Sequence, residues 1–312
     1  MLTPERLDSS PIFIASFALT LTALSGSMIG ARSIEHHRSY FMAIHPHTYL
    51  SYINGHSASA SQLSPLAFAG FAHFTAMQVR NAKVKGLDLH LNRLRNASLE
   101  FFGRAPSDEL LRSYIRTAIQ EGARDQSVTV TVFSPHGEFT ADSMDVEPGV
   151  LVRTAAPSDG PKGPLRLSAI AHQRPLAAIK HVGEVGKTYY LHQAIRQGFD
   201  DAAFLDDRGH LSEGTIWNLV FWDGDTVIWP KADMLKGTMM GMVQRQLARL
   251  EVPQRHEFIT LERLNELSGA AVMNSWTPGI PVTAIASHAI DEARPFIELL
   301  HKAYEAEPAD FP

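Results

Sequence analysis

The chain has no cysteine among its 312 residues. That excludes disulfides, thiolate metal sites and a cysteine nucleophile, and it fits a reducing cytoplasm. It has no long basic run, and its formal net charge is −5, which argues against nucleic acid as a partner. Histidines are plentiful, fifteen in all, yet no HExxH or paired ligand spacing occurs, so no metal is expected. A Walker loop and a GxGxxG are missing as well. Gly186-Lys187-Thr188 lacks the preceding glycine of a phosphate loop. There is no internal repeat. What remains is a globular balance, 45% hydrophobic, with a length suited to one large or two moderate domains.

Residues 1–46 do not fit the rest. Pro11 to Gly30 is an uncharged, mostly apolar run, long enough to cross a bilayer or form a signal-peptide core. Against the signal reading, Arg6 is the only basic residue upstream and is offset by Glu5 and Asp8. The many Ser, Thr and Gly make a weak membrane helix. Met42 stands just before the globular pattern begins. A start assigned too far upstream gives this appearance; an extra helix packed on the domain and a membrane span are the other readings.

From there the pattern organises itself. Residues 49–59 alternate and turn at Asn54-Gly55, a hairpin whose central pair needs positive φ. Residues 72–90 read as two strands around a turn at Asn81-Ala82. Ser107 caps a helix whose stripe is Leu111, Tyr114, Ile115, Ala118 and Ile119, and Gly122 stops it. A strand follows at 127–135. The prolines and glycines of 156–164 mark a linker. Beyond it come a strand, a helix of about four turns ending at Gly198, two strands and a helix opening at Thr238. A helix near 259–267, strands at 270–274 and 282–287, and a final helix at 292–306 complete the chain. This order gives an α+β fold in two domains: an extension 1–46, a small α+β domain 47–155, the linker 156–164 and a larger α+β domain 165–306.

Four words carry chemistry: "GLDLHLNRL" at 86–94, the "IKHVG" lysine Lys180, "GHLSEGTIWNLVF" at 209–221 with Glu213, and "MNSWTPGIPV" at 273–282. In this order and spacing they resemble the class IV aminotransferases, the fold-type IV pyridoxal-phosphate enzymes. That group includes branched-chain and D-amino-acid aminotransferases and aminodeoxychorismate lyases. The likeness runs from about Tyr49 to about Ile290 and implies pyridoxal 5′-phosphate as cofactor. By resemblance Lys180 is the catalytic lysine that joins the cofactor, and Glu213 pairs with the ring nitrogen, which keeps the ring an electron acceptor. Arg93 is the phosphate-binding arginine, a guanidinium suited to two parallel charged bonds. Thr215, Gly237, Thr238 and Ser275 complete the cofactor set.

The chain also departs from the pattern. At the helix start the hydroxyl, Thr238, comes one position earlier than is common in the family. Trp217 stands where several relatives have small residues and is expected to narrow the phosphate or substrate side. The substrate-carboxylate traps of the D-amino-acid enzymes have no clear counterparts, and Val185 replaces the tyrosine of the branched-chain enzymes. Phe74, Arg174, His181, Trp217 and Trp276 are the candidate substrate residues, with His73 as a further carboxylate partner. The resemblance implies an aminotransferase acting between an amino acid and a 2-oxo acid, as a homodimer in the cytoplasm. A lyase releasing pyruvate is the first alternative, and a cofactor-binding homologue with little catalysis is the second.

Overall fold

The computed structural model describes residues 50–139 and 146–312. The extension 1–46 with its apolar run lies outside the described residues; among those described, no helix is long and apolar enough to cross a membrane.

Period-two patterning builds the first sheet. Its strands are β1 (Ser51–Ile53), β2 (His56–Ser57), β3 (Ala72–Arg80), β4 (Lys83–Lys85), β5 (Gln126–Phe133) and β6 (Gly149–Ala155), all pairing antiparallel. In β5, Val128, Val130 and Val132 are fully buried while Thr129 and Thr131 are half-buried, the signature of one covered face. Both expected hairpins form. Asn54 and Gly55 take φ of 49° and 81°, and Asn81 and Ala82 take 52° and 61°. The short helix α1 (Ala60–Leu63) leads into a 3-10 turn. Two longer helices, α2 (Leu87–Phe102) and α3 (Asp108–Glu121), cover the sheet. Their Leu87, Leu91, Leu94, Leu111 and Ile115 share one core with the valines of β5 and β6. The Ser107 hydroxyl accepts from the Leu110 N–H at 3.2 Å, the expected cap. Because α2 begins at Leu87, β4 is shorter than the pattern of 83–90 predicts.

The segment 156–164 carries no helix or strand. After it come β7 (Leu165–Ala171), helix α4 (Val185–Arg196), β8 (Asp201–Leu205), β9 (Leu211–Gly214), β10 (Asn218–Trp222) and β11 (Val227–Pro230). Helix α5 (Thr238–Arg249), β12 (Gln254–Glu257), β13 (Gly269–Asn274), β14 (Thr277–Ile285), β15 (His288–Ala289) and helix α6 (Arg294–Glu305) follow. The strands run in the order β12-β11-β10-β13-β14-β7-β8-β9, and β9 also pairs with β10. That last pairing, Asn218 opposite Glu213, closes the strands from β10 to β9 into a ring. Alternation assigns the faces: Leu219, Phe221 and Val272 fill one core with Trp217 and Val282, while Val220, Ala271 and Met273 pack under α5 and α6. A last strand, β16 (Ala309–Asp310), pairs with β4 of the first sheet.

Two details differ from what the sequence leads one to expect. Helix α4 is 12 residues long, about three turns, because the residues before it are bonded elsewhere, as described below. The helix near 259–267 is a 3-10 turn, Glu262–Glu266; the Ile259 carbonyl accepts from the Leu211 N–H at 2.7 Å, which holds the first part extended. Ahead of Lys180, β7 stops at Ala171 and a turn, with the Ile179 N–H on the Leu176 carbonyl at 2.8 Å, precedes the lysine.

Candidate active site

Residues 180–183 run along the free edge of β3. The Phe74 N–H donates to the Lys180 carbonyl at 2.8 Å, Val182 N–H to Ala72 at 2.7 Å, and Gly183 N–H to Gly70 at 3.1 Å. The lysine backbone is thus fixed by the first sheet although its chain belongs to the second half. On β3 the odd-numbered His73, Thr75 and Met77 are buried toward the helices. Phe74 points to the other side, and Lys180 Nζ stands 4.8 Å from its ring centroid. Among the described residues Nζ has no hydrogen-bond or ion-pair partner. Burial, then the charges of Lys187 and Arg93, lower its pKa from 10.5 to about 7, with Glu184 opposing. The amine is therefore largely neutral just above pH 7. The rate at which pyridoxal phosphate adds to the cofactor-free protein is expected to rise with pH through about 7 and level off. Stopped-flow absorbance measures this profile, and a rise centred near 10 contradicts it.

Glu213, 4% exposed, stands at the closing pair of the ring. Its Oε1 accepts from Arg174 Nη1 at 2.8 Å, while among the described residues no hydrogen bond occupies Oε2. Arg174 also donates to the carbonyls of Ala177 at 3.0 Å and Ile179 at 2.8 Å and to the Glu184 carboxylate. Lys187 Nζ lies 2.7 Å from the same carboxylate. The result is an alternating series, Lys187, Glu184, Arg174, Glu213, in which each buried charge faces its opposite. This corrects the expectation that Arg174 is open to a substrate carboxylate: four partners hold it, leaving only Nε unbonded. His181 is also engaged, 3.5 Å from Glu184 and 3.2 Å from the Pro175 carbonyl. His73 is fully buried with Nε2 2.9 Å from the Ser98 hydroxyl, in the core rather than at a ligand.

Arg93, one turn after His90 on α2, donates Nη2 to the Lys236 carbonyl at 2.9 Å. Burial lowers its pKa to about 10, so it stays cationic at neutral pH. The Lys236 loop ends at Gly237, which opens α5 with no side-chain cap. The first amides of α5 have no partner inside the helix, and with the helix dipole they favour an anion. Thr238 is the first helical residue, and Met239, where the common family hydroxyl falls, is buried in the core under α5. Asn218 ties this loop to the Glu213 turn by donating Nδ2 to the Leu235 carbonyl at 2.7 Å. A Cβ on Gly237 meets Asn218 Oδ1 at 2.0 Å, so any larger residue must displace the Asn218 side chain, which is tied to the Leu235 carbonyl. Gly237→Ala is expected to cost about 1–3 kcal/mol of stability through this overpacking and to weaken phosphate-ester binding. Thermal unfolding with and without ligand tests it, and an unchanged transition contradicts it.

A cavity of about 1020 Å³ opens here, its wall including Arg93, Arg174, Ile179, Gly237 and Thr238. A guanidinium and a helix start line this space; Lys180 directly follows the lining residue Ile179, and Glu213 is bonded to the lining residue Arg174. Other candidates lie elsewhere. Trp217 is a core residue, 2% exposed, whose indole N–H donates to Asp201 Oδ2 at 2.7 Å; it does not narrow a ligand space. The Thr215 hydroxyl donates to Asp201 Oδ1 at 2.6 Å. Trp276 packs edge-on to Trp217, ring centroids 6.1 Å apart. Ser275 is half-buried in the turn between β13 and β14. Asn218, Asp201 and the Arg174–Glu213 bond were not anticipated as site features; only the asparagine, inside the "GHLSEGTIWNLVF" word, left a trace in the sequence.

The mixed α+β fold is that of the fold-type IV pyridoxal-phosphate enzymes. The chain belongs to the class IV aminotransferases: the family model for amino-transferase class IV matches residues 72–285. Among solved structures, the chain is similar to a Legionella pneumophila protein assigned as a 4-amino-4-deoxychorismate lyase. The identity is 20% and the TM-score 0.69, over 78% of this chain and 92% of that one. It is also similar to the T.th. branched-chain amino acid aminotransferase, solved with pyridoxamine 5′-phosphate, at 19% identity and TM-score 0.70 over 82% and 92%. The branched-chain aminotransferase of Thermoproteus uzoniensis, solved with norvaline, gives 17% identity and TM-score 0.73 over 82% and 93%.

Proposed function

We propose that this protein is a pyridoxal-phosphate-dependent aminotransferase, moving an amino group between an amino acid and a 2-oxo acid. The observation that carries the reading is the half-buried Lys180 amine, without a hydrogen-bond or ion-pair partner among the described residues and close to neutral, together with the Arg174-held carboxylate of Glu213. The residues fit the cofactor: Lys180 for its aldehyde, Glu213 Oε2 for its ring nitrogen, and Arg93 with the start of α5 for its phosphate. Thr238 would supply a backbone N–H there, and Ser275, in the turn between β13 and β14, is the further hydroxyl that the family likeness implies. When bound, pyridoxal phosphate supplies the electron sink that takes up and returns the amino group.

Lys180 Nζ would take the proton from the substrate Cα and return it, as a base with pKa near the working pH does best. Glu213 keeps the ring nitrogen protonated. Arg93, in the cavity wall, would hold the cofactor's phosphate and so limit its movement. Phe74 lies against Lys180 Nζ and limits water there. The domains 47–155 and 165–306 contribute jointly through the pairing of β3 with residues 180–183. A homodimer in the cytoplasm is the working form proposed, by analogy with the family.

The test is an absorption titration of the cofactor-loaded protein with L- and D-amino acids. Loss of the yellow lysine-bound band with some donors, and appearance of the pyridoxamine spectrum, supports the aminotransferase. A band that no donor bleaches, with pyruvate released from an aminodeoxychorismate-type substrate, replaces it with the lyase. Absence of any band contradicts the cofactor assignment.

A further inference from the structure

Asp201, the first residue of β8, is a buried acid, 2% exposed, with no ion-pair partner among the described residues. Three donors satisfy it. Oδ1 accepts from the Thr215 hydroxyl at 2.6 Å and from the Ala202 N–H at 2.7 Å, and Oδ2 accepts from the Trp217 indole N–H at 2.7 Å. Thr215 and Trp217 belong to the tight turn that joins β9 to β10. The turn is closed by the Gly214 N–H on the Trp217 carbonyl at 2.8 Å. It also lies close against β8, since a Cβ on Gly214 stands 3.1 Å from the Ala202 carbonyl. Glu213 is the residue immediately before this turn, and its pairing with Asn218 is the bond that closes the ring.

We propose that Asp201 is a positioning residue for Glu213: by gripping both Thr215 and Trp217 it fixes the turn and so aims the Glu213 carboxylate into the cofactor space. The inference rests on the proposed function in taking Glu213 as the partner of the ring nitrogen. Arg174 secures one oxygen of Glu213 directly, and Asp201 secures the backbone that carries it. Burial raises the Asp201 pKa, and the three hydrogen bonds oppose that rise. Both oxygens must accept. An asparagine offers one acceptor oxygen and turns an NH₂ toward a donor, so the near-isosteric Asp201→Asn is not conservative here.

The experiment compares Asp201→Asn, Thr215→Val and Trp217→Phe with the parent protein. It measures pyridoxal-phosphate affinity by fluorescence, the pH titration of the lysine-bound absorbance, and unfolding of the cofactor-free form. Asp201→Asn is expected to weaken cofactor binding about tenfold. It is also expected to raise the pKa of the bound chromophore by about one unit, because a ring nitrogen that loses its proton withdraws fewer electrons. Thr215→Val and Trp217→Phe are expected to shift both in the same direction by less. Combining Thr215→Val with Asp201→Asn is expected to add little. Should Asp201→Asn not fold, the two donor variants carry the comparison. A lowered unfolding temperature with parental affinity and titration makes Asp201 purely structural and overturns the proposal. A parent protein with no lysine-bound band overturns the cofactor reading and this inference with it, an outcome distinct from the first.

Discussion

Lys180→Ala is expected to abolish the lysine-bound absorbance of pyridoxal phosphate and to lower turnover by about 10³-fold or more. The size follows from two losses at one atom. The same Nζ that binds the cofactor aldehyde also carries the substrate proton, and Lys187 is committed to Glu184 at 2.7 Å and cannot take its place. Stability is expected to move the other way. Nζ has no hydrogen-bond partner among the described residues, and burial is the largest influence on its pKa. Removing it therefore deletes a half-buried amine whose charge its surroundings disfavour, and the cofactor-free variant is expected to unfold at the parental temperature or above. A catalytically dead, equally stable variant separates a reacting lysine from a structural one. Turnover within a few-fold of the parent contradicts the assignment.

Glu213 gives the second large effect, and two substitutions divide it. Glu213→Gln keeps an oxygen for Arg174 but cannot hold a proton on the ring nitrogen. It is expected to lose about 10²-fold or more in turnover with a small change in unfolding temperature. Glu213→Ala also leaves Arg174 with one carboxylate instead of two. Because Glu184 still bonds that guanidinium, the expected stability loss is about 2 kcal/mol, below the range for a fully unpaired buried charge. Equal stability of the two variants contradicts the Arg174 bond; equal turnover of Glu213→Gln and the parent contradicts the role at the ring.

Local chemistry was legible in the sequence wherever it is decided within a few residues. The Asn54-Gly55 and Asn81-Ala82 turns, the Ser107 cap and the alternation of β5 depend on backbone preference and one buried face, and each is present. The order of Lys180, the helix, Gly198 and Glu213 was legible too, and Gly198 takes φ of 84° to end the chain after α4. What depends on distant partners was not. Arg174 looks like a free cation in the sequence because its two carboxylates lie ten and thirty-nine residues away. Thr215 and Trp217 look like ligand contacts because nothing local shows that Asp201 takes their donors. The start of α4 was placed too early because residues 180–183 are bonded to β3, a pairing between the two halves of the chain. Strands β10 and β13 are buried on both faces and read as apolar runs without alternation, so the closure of the ring, and with it the place of Glu213, was invisible.

The central claim is that Lys180 is the residue that joins the cofactor. Borohydride reduction of the pyridoxal-phosphate-loaded protein, followed by peptide mass mapping, tests it most directly. The account predicts one phosphopyridoxyl adduct per chain, on the peptide carrying Lys180. An adduct on Lys187 or Lys236, or none at all, contradicts it.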